Sequence, residues 1–286
     1  MKQSVALVLS SGGSRGLAHI GAVNKLEEYG FKISSVSGSS IGSVIGGVYA
    51  MGKLREYSEW LKTLDRKAVW GLIDFTLTSS GLLKGERVFD KMKTFIPDMN
   101  IEDMNIPFAA VATDILNEKE VVFTKGSFYK AARASIAIPA ILTSVKYKGS
   151  ILVDGGVLNP IPIEYVARNN DDILVVVNLY GDRKAEAKKI KHDHDYHNAI
   201  LNKFSKLIVT GDRHSLGYIS LLKSSSSAMV KRIAQLNIEL FKPDILINIP
   251  HDSAATFDFH KADKLINIGA EAANKVIEQY LKNKGK

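Results

Sequence analysis

The sequence predicts an α/β fold in three layers, with a mostly parallel central sheet and helices on both of its faces. Short apolar runs alternate with helical patterns along the chain, which is typical of a doubly wound parallel sheet. One run, residues 173–179, is continuously apolar and rich in β-branched side chains, as expected of a strand buried on both faces. We expect residues 1–286 to form a single domain. Its functional motifs lie between about 4 and 180, and a basic, helix-rich portion follows from 181 to 286.

Each predicted strand is a short apolar run bounded by glycine, proline or polar residues. The strands are predicted at residues 5–10, 33–37, 107–113, 120–124, 151–153, 173–179 and 244–249. The run at 120–124 is short, and we expect it at an edge of the sheet. The run at 151–153 leads directly into Asp154 and two glycines.

Each predicted helix shows apolar residues near helical spacing. The helices are predicted at residues 17–29, 41–51, 54–64, 85–95, 128–138, 196–222, 229–240 and 262–281. Gly30 and Pro139 act as stops for two of them. Residues 66–84 are predicted to be irregular, residues 181–195 an exposed loop, and residues 224–227 a polar break between helices.

Composition limits the class of protein. Hydrophobic residues make up 45% of the chain and charged residues 24%, and there is no cysteine. The chain therefore has no disulfides, no thiolate metal site and no cysteine nucleophile. No apolar run approaches the roughly 20 residues needed to span a bilayer, and the first apolar run is too short for a signal peptide. We expect a cytoplasmic protein with no signal peptide and no transmembrane helix.

The net charge of +8 is unevenly distributed, because residues 181–242 hold 12 Lys and Arg against 6 Asp and Glu. A basic segment attracts an anionic membrane surface. We expect this segment to contact such a membrane and to form or flank a substrate entrance; a solvated face that keeps the protein soluble is the alternative. No zinc-finger spacing or aromatic RNP-type strand accompanies the charge, so nucleic acid is not an expected partner.

The segment Gly38–Gly42 has the pattern G-x-S-x-G after a predicted strand and before a predicted helix. This is the sequence of a nucleophile elbow, a sharp turn that exposes the hydroxyl of its central serine, here Ser40. Glycines are needed because a Cβ would collide with neighbouring backbone. The helix N-terminus that follows favours developing negative charge.

Two other glycine-rich turns surround this serine in the sequence. The first, residues 11–16, does not fit a dinucleotide site, because Ser11 stands at the first glycine position and the next strand carries no acid at its end. Its free backbone N–H groups favour an oxyanion hole instead. The second turn begins at Asp154, which either points a carboxylate into a cleft at the carboxyl edge of the sheet or forms an ordinary Asp-Gly turn.

Four sequence segments that occur in this order together resemble the patatin-like phospholipase family. They are residues 9–21, 38–42, 134–139 and 154–156, and the resemblance covers roughly residues 4–180. The resemblance implies a Ser–Asp dyad, with Ser40 as the nucleophile and Asp154 as its general base. It implies hydrolysis of a lipid acyl ester through an acyl-Ser40 intermediate, with no metal and no cofactor. The implied oxyanion donors are the N–H groups of Gly12 and Gly13, together with Ser14 or Arg15.

The resemblance also assigns the glycines of the elbow and of the Asp154 turn to the motifs; these are Gly38, Gly42, Gly155 and Gly156. One departure concerns Ser11, since the family usually has three consecutive glycines in the first segment. Ser11 either tightens the turn or requires a φ that serine tolerates poorly. The donors at Gly12 and Gly13 are retained.

Other functions stay open at this point. A Ser–Asp–His triad would use His251 or His260, which follow Asp154 in the chain order of α/β-hydrolases. A tract at His192, His194 and His197 could hold a metal, although interspersed acids favour solvated surface. His19 is expected to be a packing or capping residue. A catalytically weak relative that binds acyl lipids or a partner protein, and an acyltransferase with the same acyl-enzyme, are the alternative functions.

Overall fold

The computed structural model describes residues 3–78, 81–182 and 218–284. Its strands are β1 (Ser4–Leu9), β2 (Lys32–Ser39), β3 (Phe75–Thr78), β4 (Gly81–Leu83), β5 (Phe108–Asp114), β6 (Lys119–Phe123), β7 (Val145–Tyr147), β8 (Ser150–Asp154), β9 (Ile173–Gly181) and β10 (Ile245–Pro250). Its α-helices are α1 (Leu17–Glu28), α2 (Ile41–Ala50), α3 (Leu54–Lys62), α4 (Arg66–Gly71), α5 (Glu86–Lys93), α6 (Phe128–Ser135), α7 (Tyr218–Phe241) and α8 (Ala262–Lys284).

Within these residues, eight strands form one sheet in the order β10-β9-β1-β2-β5-β8-β7, with β6 also paired to β5. The five strands from β10 to β5 are mutually parallel, whereas β6, β7 and β8 are antiparallel to their neighbours. The predicted α/β class with a mostly parallel sheet is confirmed. So is the central position of β9, which lies between β1 and β10.

Side-chain alternation along β1 divides the core into two layers. Val5, Leu7 and Leu9 pack with α1, α2 and α8 on one face of the sheet. Ala6 and Val8 point to the other face, where α7 packs against them. Both sets are completely buried, and each large apolar side chain contributes roughly 1.5–3 kcal/mol by leaving water. Helices therefore cover both faces, as the sequence predicts.

The antiparallel strands bring two carboxyl ends together. On one edge of β5, Ser39 of β2 pairs with Val111, and the next position, Ala112, pairs with Asp154 of β8. The strand β6 occupies the opposite edge of the same residues. Because β2 and β8 run in opposite directions along one edge, they meet end to end. The residue after Ser39 and the last residue of β8 are therefore placed beside each other.

Two local predictions are wrong. Residues 66–84 are not irregular: they contain α4, whose first turn is capped by Asp65 accepting from the N–H of Ala68, and the hairpin β3–β4. The predicted polar break at 224–227 lies inside α7, which is continuous. Serine lowers helix propensity only modestly, and the buried face of α7 around Ala234 stabilises the helix. In addition, α6 ends at Ser135 rather than Ile138, and β7 was not predicted.

The predictions for residues 183–217, including most of the exposed loop and of the helix at 196–222, lie outside the described residues. In the part of the chain that the structure does describe, no helix has the length and apolar character to cross a bilayer.

Candidate active site

Ser40 occupies a strained turn between β2 and α2. Its φ of 53° and ψ of −125° lie in a region that non-glycine residues rarely adopt, at a cost of about 1–3 kcal/mol. Neighbouring glycines make the turn possible. A Cβ on Gly38 would lie 2.3 Å from the carbonyl oxygen of Gly42, and one on Gly42 would lie 2.1 Å from that of Leu9. Ser40 therefore lies at a sharp strand-to-helix turn whose flanking positions leave no room for a Cβ.

The backbone of the elbow is held by a residue to which the sequence assigned no role. The N–H of Ser40 donates to Ser135 Oγ at 2.9 Å, and Ser135 Oγ donates to the carbonyl oxygen of Val111 at 2.6 Å. Ser135 is fully buried at the end of α6. It belongs to the segment 134–139 that carried part of the family resemblance, and this was the signal that could have identified it.

The structure brings Ser40 and Asp154 together. Ser40 Oγ donates to Asp154 Oδ2 at 2.5 Å, and the N–H of Gly156 donates to Asp154 Oδ1 at 2.7 Å. Ser40 is 4% exposed and Asp154 6%. Burial raises the pKa of Asp154 to about 6, against the lowering effect of its two hydrogen bonds.

The two glycines after Asp154 are required by close contacts. A Cβ on Gly155 would lie 2.1 Å from the carbonyl oxygen of Val111, and one on Gly156 would lie 2.6 Å from Ser11 Oγ. At Gly155 the obstacle is backbone, which cannot yield without moving β5. These glycines allow the Asp154 turn to pack tightly between β5 and the first glycine-rich turn.

The first glycine-rich turn presents two unused backbone donors. In the described part of the chain, the N–H groups of Gly12 and Gly13 have no acceptor. The N–H of Ser14, in contrast, donates to the carbonyl oxygen of Thr256 at 3.0 Å, and Ser14 Oγ donates to that of Ala255 at 2.6 Å. The expectation that Ser14 offers its N–H to an oxyanion is therefore not met in this conformation, because that donor is already bonded.

Arg15 acts on the turn through its side chain. Its Nε donates to the carbonyl oxygen of Gly12 at 3.0 Å, and its Nη1 donates to those of Leu179 and His251 at 3.0 and 2.9 Å. In a trans peptide the C=O and the next N–H point in opposite directions. By holding the carbonyl of Gly12, Arg15 fixes the direction of the Gly13 N–H.

Ser11 is not strained, since its φ is not among the positive values of the described chain. Its N–H donates to the carbonyl oxygen of Pro160 at 2.9 Å, and its Oγ is hydrogen-bonded to the hydroxyl of Tyr180 at 2.5 Å. Of the two expectations for Ser11, the tightened turn agrees with the structure and the unfavourable φ does not.

A cavity of about 160 Å³ opens beside Ser40 and Gly13. Its walls are almost entirely apolar and come from α2, α3, α4, α5 and the segments 136–142 and 256–259. Trp60, Leu61, Phe89 and Met92 are among the lining residues. Part of this wall comes from residues 69–83, inside the region predicted to be irregular.

Within the described residues, the hydrogen bonds of the Ser40 hydroxyl and the Asp154 carboxylate involve no imidazole. The ring of His251 stacks on that of Tyr180 with centroids 6.4 Å apart. His19 is fully buried and bonded through Nε2 to the carbonyl oxygen of Ser10, which agrees with a packing role. The tract at His192, His194 and His197 lies outside the described residues, and the remainder contains no cluster of three metal-ligating side chains.

The sequence and the fold of this chain are similar to those of known proteins. A family model described as patatin-like phospholipase matches residues 7–167. An uncharacterized NTE family protein of Mycobacterium bovis is 28% identical over 96% of this chain and 92% of its own length. Lysophospholipase NTE1 of Meyerozyma guilliermondii is 26% identical over 99% of this chain, which spans only 20% of that protein. The crystal structure of VipD from Legionella pneumophila shares the fold, with a TM-score of 0.51 and 14% identity over 98% of this chain and 67% of that one.

Proposed function

This chain belongs to the patatin-like phospholipase family and is a lipid ester hydrolase, and on that premise we propose that it cleaves its substrate with a Ser40–Asp154 dyad. The observation that carries the proposal is the hydrogen bond from Ser40 Oγ to Asp154 Oδ2 in a buried site. A nucleophile within hydrogen-bond reach of a base is the requirement for covalent catalysis.

In the proposed first step, Ser40 Oγ attacks the ester carbonyl carbon while its proton passes to Asp154. The oxyanion of the tetrahedral intermediate accepts hydrogen bonds from the N–H groups of Gly12 and Gly13. The intermediate then collapses to acyl-Ser40, and the leaving alcohol takes the proton from Asp154. In the second half, Asp154 accepts a proton from water, the hydroxide attacks the acyl carbon, and Ser40 regains its proton as the acid is released.

A carboxylate can serve as the base here because its environment is dry. An aspartate with an ordinary pKa near 3.9 is a weak base for a hydroxyl. Burial raises the pKa of Asp154 to about 6, closer to the pH at which the protein works, which favours proton transfer.

The cavity beside Ser40 supports a single acyl chain as the group bound there. Its lining is apolar and its volume is about 160 Å³, a space suited to one hydrocarbon chain rather than a charged headgroup. We therefore propose a monoacyl lipid, the substrate class that the name of the yeast lysophospholipase relative indicates.

Labelling with a fluorophosphonate, followed by mass spectrometry, tests the nucleophile directly. We expect the label on Ser40 in the wild type and its loss in Ser40→Ala. Hydrolysis of a chromogenic short-chain ester should be lost in both Ser40→Ala and Asp154→Asn. Equal hydrolytic activity in the wild type and in both variants would refute the dyad.

We further propose that α7 contributes to docking on an anionic lipid surface. Lys231 Nζ lies 3.3 Å from Asp182 Oδ1, just beyond the carboxyl end of β9. The thirteen residues of α7 before Lys231 therefore extend roughly 20 Å beyond the edge of the sheet at which Ser40 lies. Leu222 and Met229 in this part are 50% and 60% exposed. Two lysines of the basic segment 181–242, Lys203 and Lys206, lie outside the described residues, as does the side chain of Lys223.

Vesicle binding tests this docking surface. We expect Leu222→Asn combined with Met229→Asn to weaken binding to phosphatidylglycerol vesicles several-fold at low salt. Leu281→Asn is the matched control, because Leu281 is 42% exposed on α8 near Lys284, which bonds Gln3 at the opposite edge of the sheet. Unchanged binding in the double variant would exclude this surface.

A further inference from the structure

The mechanism requires two separate loops to stay aligned. The oxyanion turn follows β1, whereas the base is the last residue of β8, and Gly13 and Asp154 are 141 positions apart in the sequence. Both loops meet at Ser11, the residue that replaces the glycine usual in the family. The contacts of Ser11 therefore determine how the two halves of the site are positioned relative to each other.

Ser11 lies directly against the Asp154 turn. Its N–H donates to the carbonyl oxygen of Pro160 at 2.9 Å. Its Oγ would stand 2.6 Å from a Cβ on Gly156, and Asp154 Oδ1 would stand 3.0 Å from the same point. The Ser11 hydroxyl and the Asp154 carboxylate are consequently less than about 6 Å apart, and the N–H of Gly156 holds the carboxylate in place.

Tyr180 is the residue that holds the Ser11 hydroxyl. Its hydroxyl is bonded to Ser11 Oγ at 2.5 Å, and it is 7% exposed near the end of β9. The guanidinium of Arg15 lies 5.7 Å from the centroid of its ring, and the His251 ring stacks on it. Arg15 in turn holds the carbonyl of Gly12. The ring cannot move without disturbing the oxyanion turn.

We propose that Ser11 and Tyr180 form a positioning pair that aligns the oxyanion turn with the Asp154 turn in this chain. The inference rests on the proposed Ser40–Asp154 dyad and adds to it. A buried hydroxyl needs a hydrogen-bond partner, so glycine at position 11, although usual in the family, leaves the Tyr180 hydroxyl unpaired here. It also opens a space through which water reaches Asp154.

Four variants test the pair: Ser11→Gly, Ser11→Ala, Tyr180→Phe and the double variant Ser11→Gly with Tyr180→Phe. We expect each single variant to lower kcat about 10- to 100-fold, with KM within about twofold, because alignment of the reacting groups is lost rather than substrate binding. The double variant is expected to be no slower than the single variants, since residues acting as one unit are not additive.

The pH profile separates positioning from a purely structural role. Water admitted to Asp154 lessens the effect of burial, so the acid limb of kcat/KM is expected to move to lower pH in Ser11→Gly by at least about half a unit. Tyr129→Phe is the matched control. Tyr129 is also buried and donates to the carbonyl oxygen of Ile96 at 2.7 Å, away from the dyad. Its removal should lower thermal stability and leave the acid limb in place.

Wild-type kcat and an unmoved acid limb in Ser11→Gly would overturn the pair, as would additive losses in the double variant. If Tyr180→Phe does not fold, Ser11→Ala and Ser11→Gly still decide the question. Ser40→Ala is assayed in parallel: full activity there would refute the dyad itself, whereas an inactive Ser40→Ala beside a normal Ser11→Gly refutes only the pair.

Discussion

Two aspartates end neighbouring antiparallel strands, yet their environments give them opposite properties. Asp114 is the last residue of β5 and Asp154 the last of β8. Their side chains are 4% and 6% exposed. Asp114 lies at the rim, followed by the exposed Ile115 and Leu116, whereas Asp154 faces Ser40 inside the site. The desolvation of each carboxylate and the hydrogen bonds that it accepts together decide which one suits a structural role and which one a base.

Desolvation by burial is the largest influence on the pKa of Asp154, whereas hydrogen bonds are the largest influence on that of Asp114. Asp114 accepts from Ser150 Oγ, from the side chain and N–H of Asn117, and from the N–H of Leu116. These bonds, that from Ser150 foremost, lower the pKa of Asp114 to about 2. Within the residues that the structure describes, Asp154 accepts only from Gly156 and from Ser40, and burial raises its pKa to about 6. A base at this site requires that the carboxylate be left with few donors.

The largest expected effect separates the two aspartates by activity. Asp154→Asn removes the proton acceptor of Ser40 and should lower kcat at least about 10³-fold. Asp114→Asn should change kcat by less than about tenfold. Steady-state hydrolysis of a chromogenic ester measures both. Comparable losses of kcat in the two variants would contradict the different roles of Asp154 and Asp114.

The pH dependence of activity should also distinguish Asp154 from Asp114. Asp154 accepts a proton only when ionised, so kcat/KM should fall tenfold per unit as pH decreases below about 6, the pKa of its carboxyl. Asp114 is ionised throughout this range, and Asp114→Asn should leave the limb where it is. A pH–rate profile from 4.5 to 8.5 measures this limb. A midpoint near 4 in the wild type would contradict the raised pKa of Asp154.

Replacing each aspartate by asparagine should change the free energy of unfolding in opposite directions. Because the pKa of Asp154 is higher in the folded than in the unfolded state, the free energy of unfolding falls as pH rises from about 4 to about 6 and stays lowered above pH 6. Asp154→Asn should raise the free energy of unfolding by about 1–3 kcal/mol at pH 8, and the gain should vanish below about pH 4. Asp114, with its lowered pKa, stabilises the fold above about pH 4, so Asp114→Asn should lower stability at neutral pH. Urea titrations at pH 4, 6 and 8 measure both.

The smallest expected effect concerns a third carboxylate. Asp74 accepts from the N–H groups of Gly85, Glu86 and Arg87 at the start of α5. Burial acts to raise its pKa, but these bonds hold it below the usual value. Asp74→Asn should lower the free energy of unfolding by about 1 kcal/mol, as loss of a helix cap does. It should leave the acid limb of the kcat/KM profile unchanged. Thermal unfolding and the pH profile check the two halves of this prediction.

Local patterns explain which parts of this molecule could be predicted from the sequence. The strands of the parallel sheet and the elbow at Ser40 are marked by continuous apolar runs and by glycines whose role is set by adjacent residues. Asp154 was identified through the resemblance of four segments. Its 2.5 Å contact with Ser40 could not be predicted, because it depends on the registers of β2 and β8 along β5.

The features that were missed depend on distant residues or on small local signals. Ser11 and Tyr180 are 169 positions apart, and Ser14 is bonded to Thr256 from near the other end of the chain. In residues 66–84, which form part of the cavity wall, the capping residue Asp65 was the one local indication of a helix. The hairpin β3–β4 is too short to show a clear alternation of apolar and polar residues. The serines of α7 look like a break only when the buried face that continues past them is ignored.

The end-to-end meeting of β2 and β8 makes the dyad sensitive to the length of the chain as well as to its composition. Side chains along a strand alternate between faces, so a one-residue deletion within β8 would turn the Asp154 carboxylate away and present its neighbour instead. Every functional residue would still be present in such a protein. Members that retain both motif residues but lose or gain one residue within β8 would therefore be inactive, and counting motif residues alone would misclassify them.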